Sequence, residues 1–116
     1  MLIKKPWGSE QLLERNESYM VKLLTMWKGQ CCSIQYHEKK VETVYVLSGL
    51  LRVYIGDSLE TIEPVDMKPG DHMTLHPGKV HRMEGVEDST YLEASTPELE
   101  DVVRLQDKYG RAGGNK

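Results

Sequence analysis

Apolar residues recur at every second position in short runs along this chain, and the runs stop at glycine, proline and aspartate. Leu51, Val53 and Ile55 alternate with Arg52 and Tyr54, the signature of a strand with one wet face. Runs of this kind predict strands at 9–14, 19–27, 31–37, 42–47, 50–55, 58–62, 72–75, 80–85 and 89–94. The breaks between them carry turn chemistry: Lys28-Gly29, Ser48-Gly49, Gly56-Asp57, Pro69-Gly70-Asp71 and His76-Pro77-Gly78. Lys5-Pro6-Trp7-Gly8 reads as an extended entry followed by a turn. Two readings stay open near the end. Thr96-Pro97 can start a helix, with Leu99, Val102, Val103 and Gln106 at roughly helical spacing, while residues 102–105 equally fit a closing strand. So many short strands with turns between them predict an all-β, antiparallel sandwich or barrel.

A chain of 116 residues folds as one domain, here 1–111, and buries roughly two-thirds of its unfolded surface. Residues 112–116 have nothing to bury and are expected to be a flexible tail. The balance of 39% hydrophobic and 28% charged residues, with net charge -3, gives no basic patch for nucleic acid and no membrane surface. No apolar run reaches the roughly 18 residues of a membrane span, and Met1 to Lys5 lacks a signal-peptide core, so a cytoplasmic protein is expected. Cys31 and Cys32 are strand neighbours pointing to opposite faces, which predicts two reduced, structural thiols.

The chemistry concentrates in two stretches. In the first, Gln35 and His37 share a strand face, and a reversal through Glu38 to Val41 returns Glu42 beside them. The second supplies His81. An amide, two imidazoles and a carboxylate suit one divalent metal, whether zinc, cobalt, manganese, nickel or iron; the weak amide oxygen permits several of these. His72 and His76 do not fit the ligand pattern and read as turn or rim residues, with His76 also a candidate base. Lys40 is a candidate for orienting an anionic substrate, Lys39 reads as solvated, and Arg82 is expected to face away from the metal. Trp7 and Trp27 read as packing anchors.

Gly29, Gln35-x-His37, Glu42 and Gly49, followed by Gly70, Pro77-Gly78 and His81, resemble the paired motifs of the cupin superfamily, with Gln replacing the first His. Lys5-Pro6-Trp7-Gly8, Ser33-Ile34-Gln35, Ser48-Gly49, Val80-His81-Arg82, Asp101-Val102-Val103-Arg104 and Asp107-Lys108-Tyr109-Gly110-Arg111 narrow the match. Together they resemble the C-terminal cupin domain of bifunctional mannose-6-phosphate isomerase and mannose-1-phosphate guanylyltransferase enzymes. The resemblance implies a double-stranded β-helix, or jelly-roll barrel, holding one metal. It also implies isomerisation of mannose 6-phosphate to fructose 6-phosphate, with Lys40 and His76 as catalytic candidates. The nucleotidyltransferase domain that precedes it in such enzymes has no counterpart in these residues, so guanylyl transfer is not expected of them. Two positions depart from the family: Lys40 stands where an Arg is usual and Thr43 where a His is usual. Lysine keeps the charge but loses the planar two-oxygen fork. The alternatives are therefore a non-catalytic metal-binding cupin for a sugar or sugar nucleotide, or a small-acid oxygenase or lyase. A homodimer is expected through edge strands such as 9–14.

Overall fold

The computed structural model describes residues 2–98 and 100–106. The expected tail at 112–116 and the Asp107 to Arg111 motif lie outside the described residues, as does Leu99. Eleven strands form: β1 (Leu2–Lys5), β2 (Gly8–Arg15), β3 (Met20–Met26), β4 (Ile34–Tyr36), β5 (Glu42–Ser48), β6 (Leu51–Gly56), β7 (Glu63–Met67), β8 (His72–Leu75), β9 (Val80–Gly85), β10 (Ser89–Ser95) and β11 (Val103–Gln106). They make a six-stranded sheet in the order β1-β2-β3-β10-β5-β8 and a five-stranded sheet in the order β11-β4-β9-β6-β7. Every strand pairing is antiparallel. The chain crosses repeatedly between the sheets, so the two inner faces come from interleaved parts of the sequence.

The period-two reading holds where one face is dry. In β3, Met20, Leu24 and Met26 are buried with polar or half-exposed neighbours between them, and in β5 Val44 and Val46 point inward. Leu24, Met26, Val44 and Val46 meet Leu51, Val53, Met67, Leu75, Met83, Tyr91 and Trp7 in one apolar core between the sheets. Leu51 is fully buried, so Leu51→Ala is expected to cost about 3 kcal/mol, read as a lower urea midpoint with an unchanged slope.

Three segments differ from the sequence expectation, each for a physical reason, and a fourth that was open is settled. Residues 2–5 form β1, closed onto β2 by the two-residue turn Pro6-Trp7 with Lys5 opposite Gly8. A Cβ on Gly8 would lie 1.9 Å from the Thr25 carbonyl oxygen, so only glycine lets β2 start against β3. The strand expected at 58–62 is instead a single 3-10 turn, Leu59–Thr61, stitched by the Ser58 and Thr61 hydroxyls and amides, and the strand begins after it as β7. Pro64 is tolerated there because β7 is a sheet edge. The run at 31–37 shrinks to β4, with Cys31 held in an isolated bridge to Glu84. At the end of the chain, β11 pairs with β4, which settles the open segment as strand.

Trp7 is buried, whereas Trp27 is 50% exposed and is no core anchor. Cys31 and Cys32 are both free and buried; Cys31 borders an outer recess and Cys32 the interior cavity, as opposite strand faces require. At Gly49 the backbone turns with φ 87°, and a Cβ there would sit 2.2 Å from the Asp88 carbonyl oxygen.

Candidate functional site

One end of the barrel interior is polar, and its residues come from both sheets. Gln35 on β4 lies directly opposite His81 on β9, and His37 follows one residue beyond the end of β4. Glu42 opens β5 from the facing sheet. The reversal between His37 and Glu42 is held from outside by Asp101, whose carboxylate accepts the backbone N–H groups of Glu38 (3.0 Å), Lys39 (2.8 Å) and Lys40 (2.8 Å). Burial works against the charge on Asp101, but these three donors outweigh it and hold its carboxyl below the ordinary value. The Gly78 amide donates to the His37 carbonyl at 2.8 Å, tying the His76 to Lys79 turn to the same place.

His37, Glu42 and His81 are all buried, and their ligating atoms lie within 4.8 Å of one another. Glu42 Oε1 is 3.1 Å from His37 Nε2 and 3.6 Å from His81 Nε2. His37 Nδ1 faces the Asp101 carbonyl oxygen and His81 Nδ1 faces the Lys79 carbonyl oxygen at 2.9 Å. A carbonyl has no proton to give, so each Nδ1 carries the hydrogen, and Nε2 is the nitrogen each ring turns inward, where its lone pair is available to a metal. Two imidazole lone pairs and a carboxylate then confront one another, an arrangement that repels unless a cation or proton sits among them. His81 Nε2 is buried and has no hydrogen-bond partner. Burial pushes the His81 pKa down despite the nearby Glu42 charge, which favours the neutral ring that ligates a metal. Burial also opposes the charge on Glu42, but with no cation bound a proton shared with His37 Nε2, together with the Lys40 ammonium, outweighs it and holds this carboxyl at about 2. Donors bound at about 2.1 Å to one metal lie about 3.0–3.4 Å apart, close to the spacings seen here. The residues therefore fit a divalent cation, with ring orientation fixed by the two backbone carbonyls. Asp101→Ala removes the clamp on the turn and is expected to weaken cobalt or zinc uptake by roughly 10–100-fold in a competition titration.

The other residues singled out in the sequence divide clearly. Gln35 lines the same cavity, but its Oε1 accepts the Ser33 hydroxyl at 2.5 Å. Lys40 is 5% exposed, with Nζ 3.8 Å from Glu42 Oε2, and it lines the cavity too. His76 is exposed in its turn and is not among the residues lining the cavity. His72 stacks on Tyr45 on the outside of the six-stranded sheet. Thr43 also faces outward, its hydroxyl 2.9 Å from that of Thr74, so the departure at this position does not touch the cavity. Lys39 is exposed, and Arg82 points away from the centre to donate to the Cys32 carbonyl at 2.9 Å.

The cavity, about 380 Å³, extends beyond the imidazoles to Arg104 and to three residues the motifs did not mark, Glu10, Lys22 and Glu93, beside Trp7, Leu24 and Tyr91. Lys22 reaches Glu10 at 3.0 Å. Burial, reinforced by the Glu42 charge, pushes the Glu93 pKa up to about 8. The signal for two of these was present as a break in alternation. Lys22 occupies an inward place between Met20 and Leu24, and Glu93 occupies one beyond Tyr91.

Two interleaved antiparallel sheets enclosing a cavity with a His-Glu-His cluster define a cupin, a double-stranded β-helix. Solved structures agree on the fold: CapF, a capsular polysaccharide assembling protein from Staphylococcus aureus, aligns with TM-score 0.79 at 16% identity over 91% of this chain and 34% of its own. KdgF from Halomonas sp. aligns with TM-score 0.75 at 18% identity over 86% of this chain and 88% of its own. Residues 1–107 match the family described as mannose-6-phosphate isomerase C-terminal, and the chain belongs to that family. It is 32% identical over 114 residues to the mannose-1-phosphate guanylyltransferase ManC of Salmonella typhimurium and 30% identical to a mannose-1-phosphate guanylyltransferase of Escherichia coli. Each match covers 94% of this chain but 23% of the relative, so the chain spans about a quarter of their length.

Proposed function

We propose that this cupin domain isomerises a hexose phosphate, mannose 6-phosphate to fructose 6-phosphate, with a divalent cation held by His37, Glu42 and His81 and approached by Gln35. The observation that carries the reading is the inward convergence of two imidazoles and one carboxylate in a cavity of sugar size. Family membership supports the substrate class. When bound, such a cation supplies Lewis-acid stabilisation of the negative charge that develops on the substrate oxygens as a proton leaves carbon.

The chain's own residues supply the rest. Lys40, buried against Glu42, places a fixed positive charge beside the same oxygens. Trp7, Leu24 and Tyr91 form the apolar wall that excludes water from the reacting carbons. Lys5 and Arg104 are cavity-lining cations able to meet a phosphate.

Protein loaded in turn with cobalt, zinc, manganese, nickel and iron, given mannose 6-phosphate, is expected to form fructose 6-phosphate with at least one of them. No turnover with any metal, across a panel of hexose and pentose phosphates, sinks the reading. A second reading is a non-catalytic domain that binds a sugar phosphate or sugar nucleotide. It is favoured by the ion pair that already engages Lys40 with Glu42, and tight calorimetric binding without turnover would support it. We also propose a homodimer. At the N-terminal side of the six-stranded sheet the edge open to it is β1, with Leu2 61% exposed, since β1 covers β2.

A further inference from the structure

Four carboxylates line the cavity, those of Glu10, Glu42, Glu93 and Glu100. Glu10 is committed to Lys22 at 3.0 Å, Glu42 faces both imidazoles and Lys40, and Glu100 lies in an exposed segment. Glu93 is in neither of these ion pairs. Its place follows from register: β10 pairs Ser95 with Glu42 and Glu93 with Val44, while on the other side Glu93 lies opposite Lys22. Glu93 and Glu42 are thus diagonal neighbours on the inner face of one sheet, with backbones about 7–8 Å apart. A sugar whose C1 and C2 oxygens face His37, Glu42 and His81 therefore presents its C1–C2 bond to the space between those residues and Glu93.

We propose that Glu93 is the proton shuttle of the isomerisation proposed above, on which this assignment rests. Its carboxylate takes the proton from C2 of the open-chain aldose. The C2–H electron pair becomes the second C1–C2 bond, and the aldehyde π pair moves onto O1. In the return, the Glu93 carboxylic acid gives its proton to C1, the C2–O2 carbonyl forms, and the O2 hydroxyl proton passes to O1. Atoms and charge balance without any further reactant. A shuttle of this kind works best when its acid and base forms are both accessible near neutral pH. The charged groups facing Glu93 are the carboxylates of Glu42 and Glu10 and the ammonium groups of Lys40 and Lys22, and a cation held by His37, Glu42 and His81 would add a further positive charge beside them. His76, exposed outside the cavity, has no comparable access to the C1–C2 bond.

The test uses the metal-loaded chain in deuterium oxide. Wild-type protein is expected to turn over mannose 6-phosphate and to wash solvent deuterium into the product. Glu93→Gln is expected to lose roughly a hundredfold or more in kcat, and the washing with it. Bound metal and calorimetric affinity for the reduced analogue mannitol 1-phosphate are expected to stay within about threefold of wild type. Glu93→Asp, shorter but still ionisable, is expected to recover part of the rate with a shifted pH profile. Glu93→Gln retaining more than about a third of the wild-type kcat overturns the assignment and leaves the isomerase reading standing. If Glu93→Gln does not fold, wild-type kcat and pH profile in Glu93→Asp overturn it equally. Wild-type protein with neither turnover nor washing overturns the isomerase reading itself.

Discussion

Glu42→Gln is expected to abolish stoichiometric metal binding and, in the metal-free protein, to lower the melting temperature by roughly 10 °C. Both effects come from one charge. The carboxylate is the negative member of the His37, Glu42 and His81 cluster, and it is 2% exposed. Without it two neutral imidazoles remain, and affinity for cobalt or zinc is expected to fall by more than about a hundredfold. The same substitution strips Lys40 of its ion-pair partner, leaving a buried ammonium group whose desolvation is no longer offset by the Glu42 charge, a loss of about 3 kcal/mol. The two consequences separate in the double variant. Adding Lys40→Met removes the stranded charge and is expected to restore most of the melting temperature without restoring metal uptake. Calorimetric metal titration and thermal melts of the four proteins measure this, and undiminished metal uptake by Glu42→Gln would remove the centre from the proposal.

The second large effect lies in the pH dependence of the metal-free protein. Burial, together with the Glu42 charge, raises the Glu93 carboxyl from 4.5 to about 8. Below 4.5 both folded and unfolded chains keep the proton, and the contribution of Glu93 to stability is fully present. As pH rises, the unfolded chain ionises first and gains free energy that the folded chain gains only above about 8, so stability is lost across this window. His81 works in the opposite sense, since its lowered pKa adds stability as pH rises toward its ordinary value of 6.5, above which that contribution is complete. The difference between wild type and Glu93→Gln removes that common term. Glutamine copies the protonated shape at every pH, so the variant is expected to gain on wild type by the order of 2 kcal/mol between pH 5 and pH 8. Urea midpoints that differ by the same amount at both ends would show that Glu93 titrates in the ordinary range.

The β class of the fold and the identities of His37, Glu42 and His81 were legible because each rests on a local rule. Alternation marks a strand with one dry face, and two residues apart on a strand means one side. What stayed hidden depends on partners remote in sequence. β7 carries Glu63, Pro64 and Asp66, a loop-like composition that becomes a strand because β6 offers it an edge. β1 is short and half polar, and only the closeness of Gly8 to Thr25 makes its hairpin with β2 fit against β3. Asp101 stands in a stretch that carries the family resemblance, but nothing local says that it holds the turn 38–40, more than sixty residues away. His76 shows the reverse error of local reading: it lies in a motif, but its turn directs it to solvent. Lys22 and Glu93 were visible as polar intrusions in dry stripes, and a stricter reading of inward positions would have marked both.

The cavity wall draws on the first strand through Ile3 and Lys5 and on the final segment through Glu100, Val102 and Arg104. Both extremities of the barrel thus grip the same chamber, and any load hung on either one has a lever on its shape. A fused neighbour, a tether or a docked subunit would reshape the chamber without touching a single imidazole.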